Sequence, residues 1–227
     1  MQHIKNEDII ALFPIPIVKV PVPAGIDFTK EIEILKALEL TNTEADNAYV
    51  HHRSVKSYVL DLDQLKDLKL YIESRISEFM KGVMSHEYPG QLTQSWTNLN
   101  KPGQGTHLHS HGNSIISAVF YMDVPDGAVL RFHKGPSVSG RLWTMEPAVN
   151  SEAARENFFA YDWIDIPVVS GDLIMFPSYL QHSVPPNPTD FDRWTLAVNA
   201  VPVLCLGMNH ALTELVLGPT HGPGYPD

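Results

Sequence analysis

Three histidines, His107, His109 and His111, fall at spacing two in the stretch GTHLHSHGNS, directly before the apolar run IISAVFYM. Side chains alternate across an extended strand, so all three rings would face one side of it. Neutral imidazoles gathered on one face can begin a metal site. Two plainer readings stand beside that one: histidines capping polar backbone at a sheet end, and an exposed His-rich loop. A total of 11 histidines in 227 residues does not choose among them. A fourth histidine strengthens the metal reading. GDLIMFPSYLQHSVPPN, from Gly171 to Asn187, reads as a buried strand, a turn at Pro177, and then His182 ahead of a Pro-rich loop. In a closed β sandwich an early and a late strand can bring such residues to one mouth.

Arg193 follows, opening the strand RWTLAVNAVPV, with Thr195 and Asn199 on its face by the same alternation. A cation in an apolar mouth is costly unless an anion pairs with it. The planar guanidinium suits a carboxylate, and the Thr195 hydroxyl adds a donor. The bland alternative is a surface arginine paired with Asp190 or Asp192.

The elements that must position these residues are legible as pattern. Residues 9 to 23, IIALFPIPIVKVPVP, mix β-branched residues with four prolines, which predicts an edge strand or extended lead-in. Apolar residues at helical spacing predict helices over Thr29 to Leu40 and Asp63 to Met84. The second carries Leu65, Leu68, Ile72, Ile76, Phe79 and Met80, with Asp61 or Asp63 as N-cap. After His86 the runs QLTQSWTNL, SIISAVFYMDV, AVLRFH, YDWIDIPVV, DLIMFP and RWTLAVNAVPV predict six or more strands. The expected architecture is mainly β with flanking helices (α+β), a double-stranded β-helix or jelly roll. It forms a single domain: an extended segment and helices (1–86), the jelly-roll core (87–205) and an irregular tail (206–227).

Composition narrows the function. With 16 Lys+Arg against 26 Asp+Glu, the net charge of −10 argues against nucleic acid as partner. Cys205 is the only cysteine, which suits a reducing, cytoplasmic compartment. The charge-free stretch Trp194 to Thr213 is interrupted by Asn199, Pro202, Gly207, Asn209 and His210, so it reads as a buried strand and its exit; no membrane association is expected. Exposed strand edges near the N-terminus leave a homodimer open.

The combination Ser95-Trp96-Thr97-Asn98, His109-Ser110-His111 with the strand Ser117 to Met122, Gly171 to His182, and Arg193-Trp194-Thr195 resembles the 2-oxoglutarate and Fe(II)-dependent oxygenase superfamily, over roughly half of the chain. The resemblance implies His109 and His182 as metal ligands, with His111 where the superfamily usually has Asp or Glu. It implies Arg193 and Thr195 as the grip on the distal carboxylate of 2-oxoglutarate. Tyr121, with core packing as its plainer role, and Asn98 are further co-substrate contacts. Trp96, His107 and Asn199 are candidates for the substrate side, His107 also as a second-shell donor. The implied cofactors are Fe(II), 2-oxoglutarate and O2. The implied reaction is hydroxylation of a C–H bond in a small molecule or peptide, giving succinate and carbon dioxide.

One departure is chemical: no Asp or Glu occurs between Glu87 and Asp123, so two histidines and one carboxylate cannot be assembled locally. A distant acidic side chain is the remaining source. Two rival readings keep the jelly roll. GDLIMFPSYLQHSVPPN is close to the second motif of cupin-type metalloenzymes, though the glutamate expected soon after HxH is replaced by Gly112, Asn113 and Ser114. The other is a non-catalytic jelly-roll binding protein that holds a structural metal.

Overall fold

The structure is a computed structural model that describes residues 14–43, 51–86, 89–134, 163–203, 205–207, 211–213 and 215–216. Residues 9–13 of the expected lead-in, Tyr161 and Asp162 of the expected strand YDWIDIPVV, and the tail from Gly218 lie outside them. Strands are β1 (Val18–Pro21), β2 (Leu40–Asn42), β3 (His52–Ser54), β4 (Gly90–Asn100), β5 (Thr106–His109), β6 (Ile116–Asp123) and β7 (Val129–His133). They continue as β8 (Trp163–Pro167), β9 (Asp172–Pro177), β10 (His182–Val184), β11 (Arg193–Pro202), β12 (Cys205–Leu206) and β13 (Leu215–Val216). The helices are α1 (Thr29–Lys36) and α2 (Lys66–Met84).

A seven-stranded sheet, ordered β1-β9-β6-β11-β4-β3-β2, faces a four-stranded sheet, ordered β5-β10-β7-β8, and β12 and β13 form a separate pair. The two facing sheets make the jelly roll. The strand β1 sits at one edge, where proline's missing N–H is tolerated. Among the described residues it pairs only with β9, through Val18 opposite Met175 to Pro21 opposite Asp172.

Alternation assigns each face of the large sheet. From β6, Ile116, Ala118, Phe120 and Met122 point outward, as do Trp194, Leu196, Val198 and Ala200 from β11; they share one core with Leu35 of α1 and Leu68, Ile72, Ile76 and Phe79 of α2. The helices therefore cover the outer face. The inner face holds Tyr121, Ile174 and Phe176, which pack with Leu130 and Phe132 of β7.

Two helix boundaries differ from the sequence expectation. The first helix stops at Lys36, and Leu40 opens β2 instead. Asp61 and Asp63 do not cap the second: residues 63–65 form a 3-10 turn, Leu65 takes the cap position, and Asp61 pairs with Lys69 at 2.8 Å. The tight turn moves the first helical residue beyond the reach of either carboxylate. The α2 chain reverses at Ser85, which adopts a left-handed φ of 54°. Among the described residues no helix is long and apolar enough to cross a membrane.

Candidate metal centre

His109 and His182 lie directly opposite each other in the β5–β10 pair. The register shifts between His182 and Val184, a bulge that re-aims side chains at a sheet end. Close approach of the two chains is allowed by Gly105, where a methyl group would fall 2.6 Å from the Val184 carbonyl oxygen. The loop after β10 is fastened to the chain before β5: Asn187 donates from its backbone to the Gln104 carbonyl at 2.9 Å, and Gly103 donates to the Asn187 carbonyl at 2.8 Å.

His111 leaves the strand but rejoins the same point. Its backbone N–H donates to the Ser178 carbonyl at 2.9 Å, and the Ser178 N–H donates to Ile115 at 2.9 Å. Behind this turn the Ser117 hydroxyl donates to Asn199 Oδ1 at 2.8 Å and stands 2.9 Å from the Ser178 hydroxyl. A ligand atom from each of His109, His111 and His182 lies within 4.8 Å of the others.

Hydrogen bonding sets the tautomers of two rings. The Nδ1 of His109 is 2.8 Å from the His107 carbonyl, and the Nδ1 of His182 is 2.9 Å from the Leu180 carbonyl. A carbonyl only accepts, so each Nδ1 carries the proton and each Nε2 keeps a free lone pair. Burial, with His109 adding to it, pushes His182 down to about 3 and His111 down to about 4; burial also lowers His109. All three rings are therefore neutral near pH 7, the state a metal requires.

His107, the candidate for the substrate side and for a second-shell donor, is exposed and outside the three-histidine group; it lines the cavity, and its backbone carbonyl accepts from His109 Nδ1. No acidic side chain joins that group among the described residues, so the distant carboxylate is not found there.

A cavity of about 320 Å³ opens beside the imidazoles, between the two sheets. Arg193 lines it, only 3% exposed. Its Nη2 donates to the Pro185 carbonyl at 2.9 Å, while its Nε is buried with no partner. Burial lowers this guanidinium to about 10, and Tyr121 works in the opposite direction. The alternative, a surface pairing with Asp190 or Asp192, is absent among the described residues. Arg193 is instead turned inward beneath the strand it opens.

Cross-strand register orders the rest of the wall. Tyr121 of β6, Thr195 of β11, Asn98 of β4 and Arg53 of β3 are successive partners in one row and all line the cavity. The next rows are Val119, Ala197 and Trp96, and then Ser117, Asn199 and Gln94. Burial raises the Tyr121 phenol, opposed by Arg193. Trp96 lies beside His111, with ring centroids 5.7 Å apart. Asn199 lines the cavity, with its side-chain oxygen engaged by Ser117.

Sequence reasoning missed Arg53, Gln94, Ser117 and Ser178. Arg53 sits on a three-residue strand too short to show alternation, and serines at strand ends carry no distinctive spacing.

Residues 94–199 match the family described as "Putative 2OG-Fe(II) oxygenase", a segment that contains the three imidazoles, Tyr121, Arg193 and Thr195. That segment, a little under half of the chain, is similar to a 2OG-Fe(II) oxygenase domain, and it supports a non-haem iron enzyme of that class. No curated protein matches it in sequence. Its fold is shared with an oxidoreductase of the 2OG-Fe(II) oxygenase family from Burkholderia pseudomallei, at 12% identity and TM-score 0.58, over 81% of this chain and 84% of that one. It is also shared with the non-heme alpha ketoglutarate dependent epimerase SnoN from nogalamycin biosynthesis, at 18% identity and TM-score 0.59, over 92% and 88%. HygX from Streptomyces hygroscopicus, whose structure holds nickel, 2-oxoglutarate and hygromycin B, aligns at 16% identity and TM-score 0.55, over 83% of each chain.

Proposed function

We propose that this oxygenase holds Fe(II) through His109, His111 and His182, and binds 2-oxoglutarate with its distal carboxylate at Arg193. The observation that carries the reading is the inward guanidinium of Arg193. It is buried, has an unpartnered Nε, and has no carboxylate partner among the described residues. A buried cation of this kind needs an anion supplied from outside the chain. Thr195 and Tyr121, adjacent in register, supply hydroxyls beside it, and Asn98 continues the row.

The donor set fits divalent iron, since imidazole nitrogen suits iron among the first-row metals. His109, His111 and His182 would hold the metal, and with Fe(II), 2-oxoglutarate and O2 present the site would supply oxidative decarboxylation to succinate and carbon dioxide coupled to hydroxylation of a substrate C–H bond. The protein's part is to keep three rings neutral and fixed, to orient the dicarboxylate, and to wall the site with Phe176, Leu130 and Val184 against water. Three neutral imidazoles leave the full dipositive charge of the metal facing an anionic chelate, which strengthens that chelate. The substrate is a small molecule or peptide.

The test is anaerobic addition of Fe(II) and 2-oxoglutarate. A weak visible charge-transfer band is expected in the wild-type protein and not in His182→Ala. A wild-type protein without the band at saturating concentrations contradicts the chelate.

A further inference from the structure

The cavity has a second cation that the co-substrate chemistry does not use. Its walls carry two arginines, Arg193 and Arg53, and no aspartate or glutamate among the described lining residues. In a chain with 26 acidic residues and a net charge of −10, a cavity with that lining is selective for negative charge. Arg193 is taken by the dicarboxylate in the reading above. Arg53 is left for something else.

An exposed arginine is ordinarily a solvated side chain, and Arg53 is exposed. Its register sets it apart. It alternates with buried Ser54 and is paired with Asn98, so it faces the cavity at the far end of the row that begins with Tyr121 and Thr195. Three strand spacings of roughly 4.8 Å place it about 14 Å from Tyr121 along the sheet. The other described arginines are engaged: Arg75 with Glu78, Arg131 with Asp165, and Arg193 with the Pro185 carbonyl. Between the two ends of the row, Asn98 holds a buried side-chain oxygen with no hydrogen-bond partner. Thr43 and Ser57 add hydroxyls to the lining at the Arg53 end.

We propose that Arg53 binds an anionic group of the substrate, a carboxylate, sulfate or phosphate ester. Asn98 beside it accepts a hydrogen bond from a hydroxyl or amino group of the same molecule. The substrate class is a small polar acid. This rests on the oxygenase reading of the same cavity and adds to it the sign of the substrate's charge.

Calorimetric titration of the protein loaded with Fe(II) and 2-oxoglutarate, without oxygen, tests it. The probes are inorganic phosphate and benzoate, with benzamide as the neutral control. Both anions should bind saturably and benzamide should not; Arg53→Gln should weaken both by about tenfold or more, equivalent to about 1.4 kcal/mol. The co-substrate band should keep its full intensity in Arg53→Gln. Equal anion affinity in the variant, no saturable binding to the wild type, or loss of the band in Arg53→Gln each overturns the assignment. Absence of the band from the wild type sinks the oxygenase reading instead, and the same titrations on metal-free protein then decide Arg53 by itself.

Discussion

His182 and His109 face each other across an antiparallel pair, with ring centroids 4.2 Å apart, although one opens a late strand and the other closes an early one. Each ring is anchored by its Nδ1 to a carbonyl two residues earlier in its own chain. The same local device therefore points both free nitrogens at one place, and His111 completes the group from the turn beyond β5.

Substituting His111→Asp would produce the commoner set of two histidines and one carboxylate. The variant should still bind Fe(II) and still give the charge-transfer band with 2-oxoglutarate. Its co-substrate affinity should fall several-fold, because the added negative charge offsets part of the metal's. Loss of metal binding in a folded His111→Asp protein, measured by equilibrium dialysis, would show that imidazole reach is indispensable there.

Arg193→Ala should raise the dissociation constant for 2-oxoglutarate by about 100-fold, the scale of truncating one member of a buried charge pair. Metal affinity should stay within a few-fold of wild type. Arg193→Lys should fall between, since an ammonium lacks the planar fork. Titrating the band against 2-oxoglutarate reads all three proteins.

The metal-free protein should lose stability on acidification. His182 and His111 are held at about 3 and about 4, against 6.5 for an unperturbed ring. Below pH 6.5 the unfolded chain takes up protons that the folded protein refuses, so stability is fully present above pH 6.5 and drains away toward about pH 3, where His182 also titrates in the folded protein. Urea midpoints measured above and inside that window should show the slope, and a His111→Asn, His182→Asn double variant should flatten it.

Ile76→Ala should cost about 2–5 kcal/mol, because the side chain is fully buried between α2 and the outer face of the large sheet. Metal affinity of the folded fraction should not change, as the substitution lies on the opposite side of the sheet from the imidazoles. Urea denaturation together with metal titration separates the two effects. A proportionate loss of metal affinity would mean that helix packing sets the site geometry.

Much of the strand inventory was written in the sequence. The run DLIMFP coincides with β9, and RWTLAVNAVPV with β11, because β-branched and apolar residues bounded by Gly and Pro leave few other options. The α2 core positions were legible for the same reason, since five turns of apolar periodicity average out local noise. What could not be read was convergence. No local pattern tells which strand lies opposite which, so Arg53, forty residues upstream of the motif segment, stayed hidden until β3 was found beside β4. The burial of Arg193 was legible only through its company: alone it reads as a surface ion pair, and beside a candidate metal histidine as a buried anchor. Its orientation depends on which face of β11 the α2 helix covers.

The imidazoles sit on or beside the smaller sheet, and the guanidinium of Arg193 belongs to the larger one. A molecule bridging them is a tie-beam between two slabs that otherwise meet through side-chain packing and a few hydrogen bonds, such as Lys19 Nζ to the Pro167 carbonyl. Loading and foldedness are then one coupled equilibrium: co-substrate at a hundredfold excess over its dissociation constant adds about 2.7 kcal/mol to the intact sandwich. Starved of it, the enzyme is a looser object, and its persistence would track the supply of the small acid it consumes.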